Sequence, residues 1–104
     1  MNIRRRTFRT PWQHDRAREN RVKSGKMLAR ARGAAELTQL QLAKLIGVHQ
    51  VRISQFETGI STVPSDLLRP MAKSLGCAPH HFAREYLVAS DPDLYEALFK
   101  ETEQ

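Results

Sequence analysis

The sequence predicts an all-α protein: a five-helix domain flanked by a basic N-terminal arm and an extra C-terminal helix. Three observations point there. Apolar residues between Leu28 and Tyr86 recur at helical spacing. Gly47 follows the last apolar position of one stretch and Gly76 closes another, where helices stop. Charge is unevenly spread over the 104 residues: residues 1–33 hold eleven Lys/Arg against two Asp/Glu, residues 34–86 five against four, and residues 87–104 one against five. The net charge of +6 is therefore concentrated at the N-terminal end, the body is almost neutral and the tail is acidic. A chain of this length accommodates one small core. The division is an arm over 1–23, a domain over 24–87 and an amphipathic C-terminal helix over 88–104.

In chain order, the arm carries Arg4, Arg5, Arg6, Arg9, Arg16, Arg18 and Arg21, with Phe8 and Trp12 interleaved and Pro11 breaking any early helix. A first helix over about Ser24 to Ala34 turns Leu28 and Ala31 inward and Lys26 and Arg30 outward. Thr38 is a good N-cap for a second helix whose Leu42, Ala43 and Ile46 share one face, with Gln41 and Lys44 off it. Gly47 makes a sharp corner cheap, and Val48 plugs it. In the third helix Ile53 and Phe56 fall on one side, while Gln50, Val51, Ser54 and Gln55 fall on roughly the other. After Pro64, Ser65 or Asp66 caps a fourth helix whose Leu67, Leu68, Met71, Ala72 and Leu75 close the core. Pro70 either sits in its first turn or kinks it. Pro79 to about Leu87 forms a fifth helix with Phe82 and Tyr86 inward. Asp91-Pro92 then opens the last one, with Leu94, Tyr95, Leu98 and Phe99 on one stripe and Asp93, Glu96 and Lys100 off it.

Two short helices joined at Gly47, the second presenting a polar face, are suited to double-stranded DNA. The amides of Gln50 and Gln55 both donate and accept, matching the N6/N7 edge of adenine in the major groove; Val51 can touch a thymine methyl and Ser54 shares that face. Arg52, on the flank, is placed to reach a phosphate. His49 sits at the cap position of this helix, either as an exposed histidine with no special role or as a phosphate contact with mild pH sensitivity. The arm's Arg4, Arg5, Arg6 and Arg9 suit phosphates or a narrow minor groove, against the alternative of a passive tail.

The ordered set Leu28, Arg32, Leu37-Thr38-Gln39, Leu42-Ala43, Gly47-Val48, Ile53, Glu57-x-Gly59, Pro64 and Ala72-x-x-Leu75-Gly76 resembles the lambdoid repressor and Cro (XRE) type of helix-turn-helix domain over roughly Gly25 to Tyr86. The resemblance implies a lambda-repressor-like fold in which Gln39 holds a phosphate, Gln50, Val51 and Gln55 face bases, and Arg32 pairs with Glu57. Departures are visible. Relatives place glycine before Leu37, where this chain has Glu36, so the first helix runs further or ends differently. Many carry basic residues after Gly59, where this chain has Ile60, Ser61, Thr62 and Val63, and some backbone grip has to come from elsewhere.

No apolar run reaches the 18 or more residues that span a bilayer, and no hydrophobic signal core follows the basic start, so a cytoplasmic protein is expected. Cys77, His80 and His81 lack a fourth ligand at sensible spacing, so Cys77 is expected as a buried core residue, with no metal and no cofactor. No phosphate loop, paired catalytic carboxylates or nucleophile–base arrangement is present, and no enzyme is expected. The apolar stripe of the last helix either folds back or, as favoured here, forms a homodimer interface. The leading reading is a dimeric repressor of an inverted-repeat operator. The alternatives are an antitoxin that wraps a protein toxin, and an activator that contacts RNA polymerase.

Overall fold

A computed structural model describes the backbone of residues 11–100 and the side chains of residues 15–100. Among these described residues are six helices and no strand: α1 (Pro11–Ala34), α2 (Gln39–Ile46), α3 (Gln50–Thr58), α4 (Ser65–Ser74), α5 (Pro79–Ser90) and α6 (Pro92–Phe99). α1 packs on α3 and α5, α2 on α3 and α4, α4 on α5, and α6 on the end of α5. The core between the first five helices is built from Leu28, Leu42, Ala43, Ile53, Phe56, Val63, Met71, Ala72, Leu75, Phe82 and Tyr86. Leu67 and Leu68 lie half-buried against it, and Leu40 and Leu45 are exposed.

α1 corrects the expected start of the first helix. It begins at Pro11, well before Ser24. A proline in the first turn gives up an N–H that has no intrahelical partner there, so the residue expected to break the helix opens it. Residues 11–23 are thus helical and continuous with the domain.

The other end of α1 answers the departure at Glu36. This residue takes the left-handed conformation, φ 61°, and its neighbours close the usual terminal bonds, Leu37 N–H to Arg32 O at 3.2 Å and Glu36 N–H to Gly33 O at 2.9 Å. The helix therefore ends as it would with glycine, but with a Cβ in a region that disfavours one. Glu36→Gly is expected to raise stability by about 1 kcal/mol, the relief of left-handed strain exceeding the extra freedom glycine gives the unfolded chain. Thermal melting of the two proteins checks this.

α2 begins with reciprocal caps: Thr38 Oγ1 accepts from Gln41 N–H at 3.0 Å, and Gln41 Oε1 accepts from Thr38 N–H at 2.8 Å. Gly47, φ 76°, turns the chain after Ile46. α4 departs from expectation at its start, where Pro64 occupies the cap position and neither Ser65 nor Asp66 caps it. Pro70 lies inside this helix, beyond its first turn, at the cost of one backbone hydrogen bond. Gly76, φ 78°, ends it through Cys77 N–H to Ala72 O at 2.8 Å. Cys77 packs against the core but stays half-buried, with Sγ 3.9 Å from Leu75 O, so its expected full burial is not observed.

Phe82 and Tyr86 stack with centroids 6.1 Å apart, and the Tyr86 hydroxyl accepts from the buried Val63 N–H at 2.8 Å. Burial pushes the Tyr86 phenol above its usual pKa, opposed by its hydrogen bonds to Val63 and Ser24. The loop after α3 is thereby tied to α5. α6 opens as expected, with Asp91 Oδ1 accepting from Leu94 N–H at 3.2 Å and Pro92 as its first residue.

Candidate nucleic-acid interface

The interface is built around α3. Ile53 and Phe56 are buried, which fixes the rotation of the helix and leaves Gln50 and Val51 outside, Val51 at 53% exposure. Ser54 and Gln55 complete that face at half-burial. The four residues of the expected reading face therefore share the side of α3 away from the core. His49 caps the helix: its Nδ1 accepts from Val51 N–H at 3.4 Å. This gives the histidine a structural role, since an imidazole nitrogen with a free lone pair replaces the usual hydroxyl. Arg52 is exposed, with its guanidinium carbon 5.4 Å from the Phe56 ring centroid.

α1 sets the depth of α3. A Cβ built on Gly25 would lie 2.4 Å from Glu57 O and 2.7 Å from Phe56 O, so the two helices touch through bare backbone. Seven residues further along α1, Arg32 meets Glu57 in a two-pronged pair, Nε to Oε2 at 2.6 Å and Nη2 to Oε1 at 3.0 Å. Arg32 Nη1 also donates to Leu37 O at 2.9 Å, within the α1–α2 connection. The Glu57 side chain is 6% exposed and that of Arg32 21%. The hydrogen bond to Glu57 raises the Arg32 pKa above its already high ordinary value, with burial opposing.

Glu57 also takes a third donor. Gln39 Nε2, from the first residue of α2, reaches Glu57 Oε1 at 2.9 Å. This orients the amide so that its oxygen faces α3, where Gln50 Nε2 lies 3.5 Å away, at the outer limit of hydrogen bonding. The structure thus brings together Gln39 and Gln50, eleven residues apart, at the adjoining N-termini of α2 and α3. One Gln39 Nε2 proton remains for another acceptor.

Arg21 is the residue beside the candidate interface that sequence reasoning misplaced. Grouped with the arm, it instead donates from Nε to Gly59 O at 2.8 Å, just past the end of α3. The Gly59 Cα region also meets Val22, 3.0 Å from the place of a Cβ. A helix start at Pro11 was the signal that could have found it, because a continuous helix carries residues 21 and 22 into register with Gly59. Arg4, Arg5, Arg6 and Arg9 lie outside the described residues.

Leu94, Leu98 and Phe99 of α6 are exposed, Leu98 at 59%, and Tyr95 is half-buried. Tyr95 and Phe99 pack on each other at 5.3 Å between centroids, and Arg84 of α5 covers one side of Phe99 at 5.0 Å. No residue of α6 is buried. Among the described residues no three His, Cys, Asp or Glu side chains come together as a metal site, and no helix is long and apolar enough to cross a membrane.

Two helices joined at a left-handed glycine, the second with its polar side turned away from the core, define the class of helix-turn-helix DNA-binding regulators. The comparison with family models agrees: the helix-turn-helix family model matches residues 28–82, more than half of the chain, which belongs to the Cro/C1-type (XRE) helix-turn-helix family. A search of curated proteins finds no matching relative.

Proposed function

We propose that this regulator is a homodimeric repressor that reads an inverted-repeat operator through residues 49–57 and occludes polymerase. The carrying observation is the outward face of α3, with Gln50, Val51, Ser54 and Gln55 on the side opposite buried Ile53 and Phe56. Gln50 and Gln55 engage adenine edges, Val51 a thymine methyl, and Ser54 an adjacent edge. Gln39, His49 and Arg52 border this face and approach phosphates, as do Arg4, Arg5, Arg6 and Arg9 from the N-terminal segment. The dimer forms through Leu94, Tyr95, Leu98 and Phe99. Support comes from the exposure of Leu94, Leu98 and Phe99, with Tyr95 half-buried beside them, on a helix without a buried residue, since two aromatics and two leucines on one stripe gain from being covered. The two α3 helices then enter successive major grooves about one helical turn apart. The protein works in the cytoplasm, by binding rather than by catalysis.

Selection of bound duplexes from a random library by the purified full chain tests this reading. An enriched inverted repeat is the expected result; an enriched but asymmetric site would reject the dimer, and no enrichment would reject sequence-specific binding. On the selected site, Gln50→Ala or Gln55→Ala is expected to cost about 1–3 kcal/mol and to relax preference at one base pair. Equal losses on selected and random DNA would exclude base reading.

A further inference from the structure

Beyond the residues above, the structure assigns a DNA-backbone contact to Arg21: with Nε fixed on the Gly59 carbonyl, its Nη face grips a phosphate beside the loop that follows the recognition helix. This rests on the DNA-binding reading of α3. Nine residues of helix span about 13 Å, close to the roughly 12 Å width of the major groove, so the residues just past α3 fall at the phosphate wall. That loop, Ile60-Ser61-Thr62-Val63, has no cationic side chain of its own. The nearest cation that the structure ties to it is Arg21, held 2.8 Å from the carbonyl at its first corner.

The guanidinium is suited to both partners at once. It carries five N–H donors in a planar fork, and among the described residues only Nε is seen bonded, to Gly59. The two Nη groups are left with the geometry that matches a pair of phosphate oxygens. Arg21 is half-buried and lines a half-open cavity of about 440 Å³ with Thr62 and Ser65, whose hydroxyls are further donors. Asp91 lies in the same lining, but its Oδ1 is bonded to Leu94 N–H at the start of α6. The neighbouring face of α1, by contrast, mixes Arg18 and Lys23 with Asp15 and Glu19 and offers a phosphate little net attraction.

The test is the salt dependence of binding to a fluorescent duplex of random sequence and to the selected operator. Variants are built on a Glu36→Gly background to keep them folded, as circular dichroism verifies. Arg21→Gln is expected to reduce the slope of log K against log salt by about 0.9 for each bound chain, equally on both duplexes, and Arg21→Lys is expected to keep it. Adding Ile60→Lys to Arg21→Gln is expected to restore the slope, because the cation is returned to the loop. A slope unchanged in Arg21→Gln would overturn the assignment, leaving Arg21 as a helix clamp. Loss of the slope in Arg21→Gln without recovery by Ile60→Lys would also overturn it. Absence of DNA binding by the parent protein would instead remove the underlying reading, and the assignment with it.

Discussion

Gly25→Ala is expected to destabilise the protein by about 3 kcal/mol and to weaken binding to every DNA sequence. The added methyl would sit 2.4 Å from Glu57 O and 2.7 Å from Phe56 O, and both obstacles are backbone atoms of α3 that no rotamer change can move. α1 and α3 would have to part, opening the contact that positions Phe56 and loosening the Arg32–Glu57 pair one side over. Alanine favours helix over glycine by about 1 kcal/mol, so the measured loss is already reduced by that gain. Gly33→Ala isolates the gain, because nothing lies within 4 Å of its Cβ position near the end of the same helix. Urea unfolding of the three proteins gives the comparison. A Gly25→Ala protein as stable as Gly33→Ala would mean that the two helices do not touch as described.

Glu57→Gln is expected to cost about 3–5 kcal/mol, because it leaves the Arg32 charge largely buried without its carboxylate. The neutral amide keeps the shape but cannot accept at both positions from Arg32 while also accepting from Gln39. Replacing both partners by apolar residues, as in Arg32→Met/Glu57→Leu, is expected to recover most of the loss, since the desolvation of two charges is removed together with their attraction. DNA binding is expected to stay weak in the double variant, because Gln39 has lost the group that orients its amide toward Gln50. Chemical denaturation and a binding titration on the same samples separate the two effects. Recovery of both stability and binding would show that Glu57 serves the fold alone.

The contrast between these two sites explains how much of the protein was legible in the sequence. The Arg32–Glu57 pair, the Thr38 cap, the turn at Gly47 and the buried face of α3 were all readable, because each rests on local spacing or on residues that matched a family pattern as a set. Gly25 was not readable as a contact, since its importance lies in what another helix places against it. The start of α1 was missed because proline has opposite effects at the first turn and in the interior, and nothing before residue 11 decides between them. Pro70 shows the same ambiguity, resolved there in favour of the interior by the packing of Met71 and Ala72. Glu36 was recognised as a departure, but its left-handed backbone depends on the helix end around it rather than on its own preference. In the candidate interface, the outward positions of Gln50, Val51, Ser54 and Gln55 followed from helical periodicity. The bonds from Gln39 to Glu57 and from Arg21 to Gly59 span 18 and 38 residues, and periodicity carries no information over such distances.

The unbroken run of α1 from Pro11 to Ala34 also changes what the first ten residues can be. They begin from a point whose position relative to α3 is set by the contacts of Arg21, Val22 and Gly25, and ten residues of chain reach at most about 35 Å. Four arginines confined to a sphere of that radius have a local concentration on the order of tens of millimolar. A duplex seated on α3, as proposed above, would meet these cations without a second diffusional search. Their attraction to it would then be an intramolecular equilibrium, independent of how dilute the protein is in the cell.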